Sequence, residues 1–108
     1  MNKIIRTWKG WTTLENATIY EDMLINEVFP TVKKKGVDGL EKVSISTMKK
    51  KHEMEFFLVL QFESLAAVKT FAGEDYEKAY IPDNAKRILL RYDEKAQHFE
   101  LKEELLLK

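Results

Sequence analysis

The chain has 108 residues, 44% of them hydrophobic, which is enough for the core of one domain with little to spare. Its 18 Lys and Arg balance 18 Asp and Glu, so no global field draws it to polyanions, and nucleic acid is not an expected partner. Without cysteine it can form neither a disulfide nor a thiolate metal site, and with no secretory pattern or bilayer-length apolar run a cytoplasmic location away from membranes is expected.

Lys3 to Trp11 has the composition of a first strand, ending near Gly10 and Thr12. Thr12-Thr13-Leu14-Glu15 fits a capping box, with the Thr12 hydroxyl accepting from the Glu15 amide. Ala17, Tyr20, Leu24 and Val28 then recur at helical spacing, widened by Met23 and Phe29. Pro30 should kink this helix or end its regular part, because it removes a hydrogen bond and crowds the preceding turn. Lys33 to Lys35 suit the negative end of a helix dipole, and Gly36 supplies the exit. Like Lys49 to Lys51 further on, they read as solvated element ends rather than phosphate sites.

Leu40 to Met48 alternates Val43, Ile45 and Thr47 against Ser44, Ser46 and Met48, as a strand with one wetter face does. A polar hairpin loop leads into Glu55 to Phe62, a strand with Phe56, Leu58, Leu60 and Phe62 on one face and Phe57 and Val59 on the other. Ser64 caps a short helix carrying Leu65, Val68 and Phe71, which stops at Gly73. After a weakly patterned turn from Asp75 to Ala79, Pro82-Asp83 opens another short helix with Ala85, Ile88, Leu89 and Tyr92 at matching spacing. The last strand is expected from Ala96 to Glu103, followed by Leu105-Leu106-Leu107, which either dock on a partner or fray.

This order predicts an α+β, ferredoxin-like βαββαβ fold with a four-stranded antiparallel sheet and an extra short helix before the last strand. Both helices would cover one face and leave the other bare. Each large apolar side chain left wet there forgoes about 1.5–3 kcal/mol. Trp8, Phe57 and Val59 are assigned to that face, so two copies should pair through their sheets and enclose a barrel-like space.

Three stretches, Arg6-Thr7-Trp8-Lys9-Gly10-Trp11-Thr12, the segment from Ser64 to Tyr76, and His98-Phe99-Glu100, resemble the antibiotic biosynthesis monooxygenase-like proteins. The resemblance covers nearly the whole chain, residues 1–108, as one domain. It implies a dimeric α+β barrel and cofactor-independent oxidation of a small aromatic or quinol-like molecule in a pocket between helices and sheet. Relatives of this kind also include haem degraders, which carry Asn, Trp and His where this chain aligns Trp8 or Thr7, Phe71 and Ile81. Haem degradation is therefore not expected. Polyketide oxygenases of the family carry Trp where this chain has Phe62, a departure that weakens that branch.

Among the residues themselves, alternation groups Arg6 with Trp8 and His98 with Glu100, and both pairs are assigned to the bare face with Phe57. Trp8 and Phe57 offer flat surfaces to an aromatic ring. Arg6 could hold a carboxylate, phenolate or enolate oxygen, and His98 could move a proton near neutrality. Arg6 and His98 are thus the candidate catalytic groups, with Trp8, Phe57, Tyr76 and Tyr80 as substrate-binding candidates, the two tyrosines near a pocket mouth. Plainer roles stand beside these: a structural His98, Arg6 paired with Glu100 or Glu55, and Trp8 and Phe57 as packing. No cofactor is expected, and His98 with Glu100 gives two metal ligands where a site needs at least three. Two other functions remain open, a non-catalytic binding or sensing protein for a small aromatic molecule and a proton-transfer enzyme on the same scaffold.

Overall fold

The computed structural model describes residues 2–108. Strand β1 (Ile4–Thr13) lies at the centre of the sheet, with β3 (Glu53–Phe62) along one side over its whole length, from Ile4 opposite Phe62 to Thr13 opposite Glu53. β2 (Leu40–Lys49) flanks β3 on the far side, bulging between Leu40 and Lys42. On the other side of β1 run two short strands, β4 (Leu89–Tyr92) and β5 (Gln97–Glu100). The order β2-β3-β1-β4, all antiparallel and with β5 also on β1, is that of the expected ferredoxin-like α+β fold.

The chain leaves β1 through a different cap from the expected one. Thr12 is fully buried within the strand, and its hydroxyl donates to the Thr13 carbonyl. Asn16 takes the N-cap position without a side-chain cap bond, and Thr13 Oγ1 closes the turn before it by accepting from the Asn16 amide at 3.1 Å. Strand pairing with Met54 and Leu89 outcompetes a free Thr12 hydroxyl. Helix α1 (Ala17–Met23) then buries Ala17, Tyr20 and Met23. A π-helical turn follows over Leu24–Val28, where the Phe29 amide reaches back to the Leu24 carbonyl, and α2 (Phe29–Lys35) carries Pro30 in its first turn. Proline has no N–H to give the preceding turn, so a widened turn resolves the conflict that Pro30 creates. Gly36 closes α2 at φ +66°, a left-handed conformation that favours glycine.

Helix α3 (Leu65–Ala72) starts as expected, with Ser64 Oγ accepting from the Ala67 amide at 3.2 Å, and ends at Gly73. Helix α4 (Asp83–Ile88) is shorter than its periodicity implies. Leu89 and Tyr92 leave it to form β4, which pairs with the end of β1 from Gly10 to Thr12. A helix through these residues would leave that end of β1 as an unpaired edge. The adjacent leucines then point oppositely, Leu89 buried and Leu90 exposed.

The last strand is likewise shorter than expected, Gln97–Glu100 rather than Ala96 to Glu103, although the Leu101 amide still donates to the Lys3 carbonyl. Between β4 and β5 the chain bulges away from β1 and pairs with the segment before α4. There the Ala79 amide donates to Glu94 O at 2.9 Å and the Ala96 amide to Glu77 O at 2.7 Å.

The core lies between the sheet and the helices, built on Phe56, Leu58, Leu60 and Phe62 from β3 and on Ile4 and Trp8 from β1. Tyr20 of α1 meets Phe56 edge-on at 4.8 Å, and Phe71 of α3 packs on Phe62 at 5.5 Å. The opposite face of the sheet carries half-buried Ile5, Trp11, Phe57 and Val59, and exposed Met48 and Phe99, with no helix across it.

Candidate functional site

Arg6 and Trp8 do not lie on the bare face. The register sets Arg6 opposite Leu60 and Trp8 opposite Leu58, and cross-strand partners share a face, so both point under the helices. His98 and Glu100 follow them, because His98 pairs with Arg6 and Glu100 with Ile4. Phe57, opposite Lys9, remains on the bare side. Of the residues assigned together, Arg6, Trp8 and His98 share a face that Phe57 does not.

A cavity of about 310 Å³ opens on that helix-covered side. Its floor is Arg6, Trp8, Leu58 and Leu60. One wall is Leu24, Val28 and Phe29 of the π-turn and the start of α2, with Tyr20 beside them. The other wall is Phe71 with the segment from Ala79 to Pro82. Tyr80, 72% exposed, stands at the mouth with Glu27 and Lys35. This volume is at the small end for organic ligands, and the lining is mainly apolar and aromatic with few polar groups.

The most unusual group is Arg6. It is 4% exposed, yet no carboxylate pairs with it among the described residues. Glu100 instead accepts from Asn2 and Lys102, and Glu55 from Lys50 and Trp11. The Lys50 hydrogen bond, ahead of that from Trp11, holds the Glu55 carboxyl below its usual pKa. The Arg6 guanidinium is held by neutral acceptors: Nη1 donates to Tyr76 O at 2.6 Å and to His98 Nε2 at 3.0 Å, and Nη2 to Lys78 O at 3.4 Å. The Phe71 ring lies 5.5 Å from its Cζ. Burial draws the Arg6 pKa down, but a guanidinium has far to fall before it loses its proton.

A charged Arg6 fixes the tautomer of its neighbour. His98 Nε2 must accept, so the imidazole is neutral with its proton on Nδ1. Burial first, then the Arg6 charge, pushes the His98 pKa below its usual 6.5, with Glu77 pulling weakly the other way. Tyr76 packs edge-on to the imidazole at 5.1 Å. His98 and Tyr76 therefore stand behind Arg6 rather than among the residues that line the cavity.

This arrangement has a pH signature. A His whose folded pKa is depressed contributes fully above its unfolded value of about 6.5, and that contribution is lost as pH falls below it. Wild-type stability should fall from about pH 6.5 downward, before the carboxylates titrate. In His98→Gln, whose amide oxygen can still accept from Arg6, that slope should disappear. Urea unfolding across pH 5 to 8 measures it, and equal slopes for the two proteins would contradict the neutral-imidazole assignment.

Trp8 is a packing residue and a cavity wall at once. Its Nε1 donates to Asp93 O at 2.7 Å, and its ring tilts against Tyr92 at 6.5 Å. Gly10 makes room for that ring, because a Cβ there would stand 2.5 Å from Trp8 Cη2. Tyr20 belongs to the site although its spacing marks only a core position. Burial pushes its hydroxyl pKa upward, leaving a neutral O–H. Helical periodicity identifies an inward residue without distinguishing core from cavity. Among the described residues, no three His, Asp or Glu converge to hold a metal, and no helix is long and apolar enough to cross a membrane.

No family model and no curated protein matches the chain. A crystal structure from Bacillus cereus, described as a putative antibiotic biosynthesis monooxygenase, is similar with a TM-score of 0.70, covering 98% of this chain and 99% of that one at 17% identity. The chain therefore has the α+β fold of that protein along nearly its whole length.

Proposed function

We propose that this chain is a cofactor-independent monooxygenase-type enzyme that takes a small aromatic or quinol-like molecule into the cavity between helices and sheet. The observation that carries this reading is the buried, carboxylate-free Arg6 set in an aromatic-walled cavity. The likeness to the Bacillus cereus protein supports it at the level of the fold.

In such a reaction a substrate methylene or phenol, acidified by Arg6, loses its proton to solvent at the cavity mouth, and the resulting carbanion or phenolate gives an electron to dioxygen. One oxygen atom enters the substrate as a carbonyl and the other leaves as water, so no external reductant is needed. Arg6 stabilises the oxygen anion by charge-assisted hydrogen bonds in a poorly solvated space. His98 acts through Arg6 by holding the guanidinium in place, and Trp8 presents its face to the ring. Phe57 serves the other side of the sheet, where two copies pair through their bare faces as a homodimer. A cytoplasmic location fits the cysteine-free composition.

An oxygen electrode with a panel of quinols and anthrones tests the reading. The expected result is consumption of one O₂ per molecule oxidised, without added cofactor. No uptake across the panel would overturn it. If those compounds nevertheless raised the melting temperature, the chain would be a small-molecule binding or sensing protein. One observation favours that second reading, because the imidazole of His98 does not line the cavity.

A further inference from the structure

The charge at the floor of the cavity defines its ligand more narrowly than the aromatic walls do. A guanidinium offers five N–H donors. Three contacts are made to Tyr76 O, His98 Nε2 and Lys78 O, through Nη1 twice and Nη2 once. Nε and the second Nη2 proton remain. All three acceptors are neutral, and among the described residues no carboxylate forms an ion pair with this buried cation, Glu27 standing with Lys35 at the mouth. Backbone carbonyls orient Arg6 without neutralising it. The remaining lining is dominated by rings and aliphatic chains: Trp8, Tyr20, Phe29, Phe71, Leu58 and Leu60.

We infer that the cavity takes an aromatic carboxylate, with the carboxylate on the free N–H groups of Arg6 and the ring between Trp8 and Phe71. A planar carboxylate matches the guanidinium fork and brings a permanent negative charge at neutral pH, which a quinol with an ordinary phenolic pKa does not. The inference rests on the same cavity as the proposed oxidation and narrows its substrate to aromatic acids whose ionising oxygen lies beside the carboxylate, so that both reach Arg6.

The test compares aryl carboxylates with shape-matched neutral and cationic analogues by calorimetry and thermal shift on the whole chain at pH 7.5. Benzoate, 2-naphthoate and 3-hydroxy-2-naphthoate are set against their primary amides and against 2-naphthylmethylammonium. At least one carboxylate should bind about tenfold or more tighter than its amide, and the ammonium should be rejected. In Arg6→Gln the preference for carboxylate over amide should vanish, while Arg6→Lys should keep part of it. The comparison on wild type stands even if the variants fail to fold. Equal binding of acid and amide, or no binding of any acid at millimolar concentration, would overturn the inference. Carboxylate-selective binding without oxygen uptake would sink the oxidation and leave this inference intact. Oxygen uptake with neutral quinols and no carboxylate preference would do the reverse.

Discussion

Trp8→Ala should destabilise the chain by about 3–5 kcal/mol, the usual cost of truncating a buried large aromatic. The ring is 7% exposed and covers Gly10, so its loss opens a void that the glycine beneath cannot fill. The lost indole N–H also strands Asp93 O, its acceptor at the point where the last strand breaks. Against a total stability of about 5–15 kcal/mol, this is a large share. Thermal unfolding should register it as a fall of about 10 °C or more, at about 4–8 °C per kcal/mol for a domain of this size. Trp8→Phe keeps most of the apolar area and should lose far less. A cost under about 1 kcal/mol for Trp8→Ala would mean that the ring is not packed as described.

Phe57→Asp should give a folded monomer, and the wild type, by the pairing proposed above, should give a dimer. Phe57 lies half-buried on the helix-free face, with Lys9 Nζ 5.7 Å from its ring centre. An aspartate there finds Lys9 as a partner within its own chain, so the single copy should stay folded. Pairing of two such faces would take the new carboxylates and their lysines out of water, and desolvation costs several kcal/mol per ion even for a paired charge. Light scattering at micromolar concentration should give about twice 12.7 kDa for the wild type and about that mass for the variant. A monomeric wild type, or an equally dimeric variant, would remove the sheet-to-sheet homodimer from the proposed function.

The fold was legible because β3 leaves few choices. Phe56, Leu58, Leu60 and Phe62 form an apolar face too large to stay wet, and the helices flanking the β2–β3 hairpin carry matching stripes. The faces of β1 were not legible. Ile4, Arg6 and Trp8 alternate with Ile5, Thr7, Lys9 and Trp11, so each side holds an isoleucine, a tryptophan and a cation. A buried arginine looks like a surface residue when its acceptors are two main-chain carbonyls and a neutral imidazole, because no carboxylate partner marks it in the sequence. Registration against β3 decides the matter, and registration is a tertiary fact. The same holds for Leu89 to Tyr92, whose spacing suits a helix until the free edge of β1 claims it. The pocket between helices and sheet came from the family resemblance and not from spacing, since Tyr20, Leu24 and Val28 would show the same periodicity around a solid interior.

The break between β4 and β5 gives Arg6 a second job. The stretch from Tyr76 to Ala79 hangs on the rim of the sheet by two main-chain links to Glu94 and Ala96, and the guanidinium grips it through the oxygens of Tyr76 and Lys78. An anion on the two remaining N–H groups leaves that grip in place and fixes the guanidinium from the other side, so filling the chamber should stiffen its own side panel. Amide exchange at Ala79 and Ala96 would then slow on loading, tying the guest and the wall beside it to a single side chain.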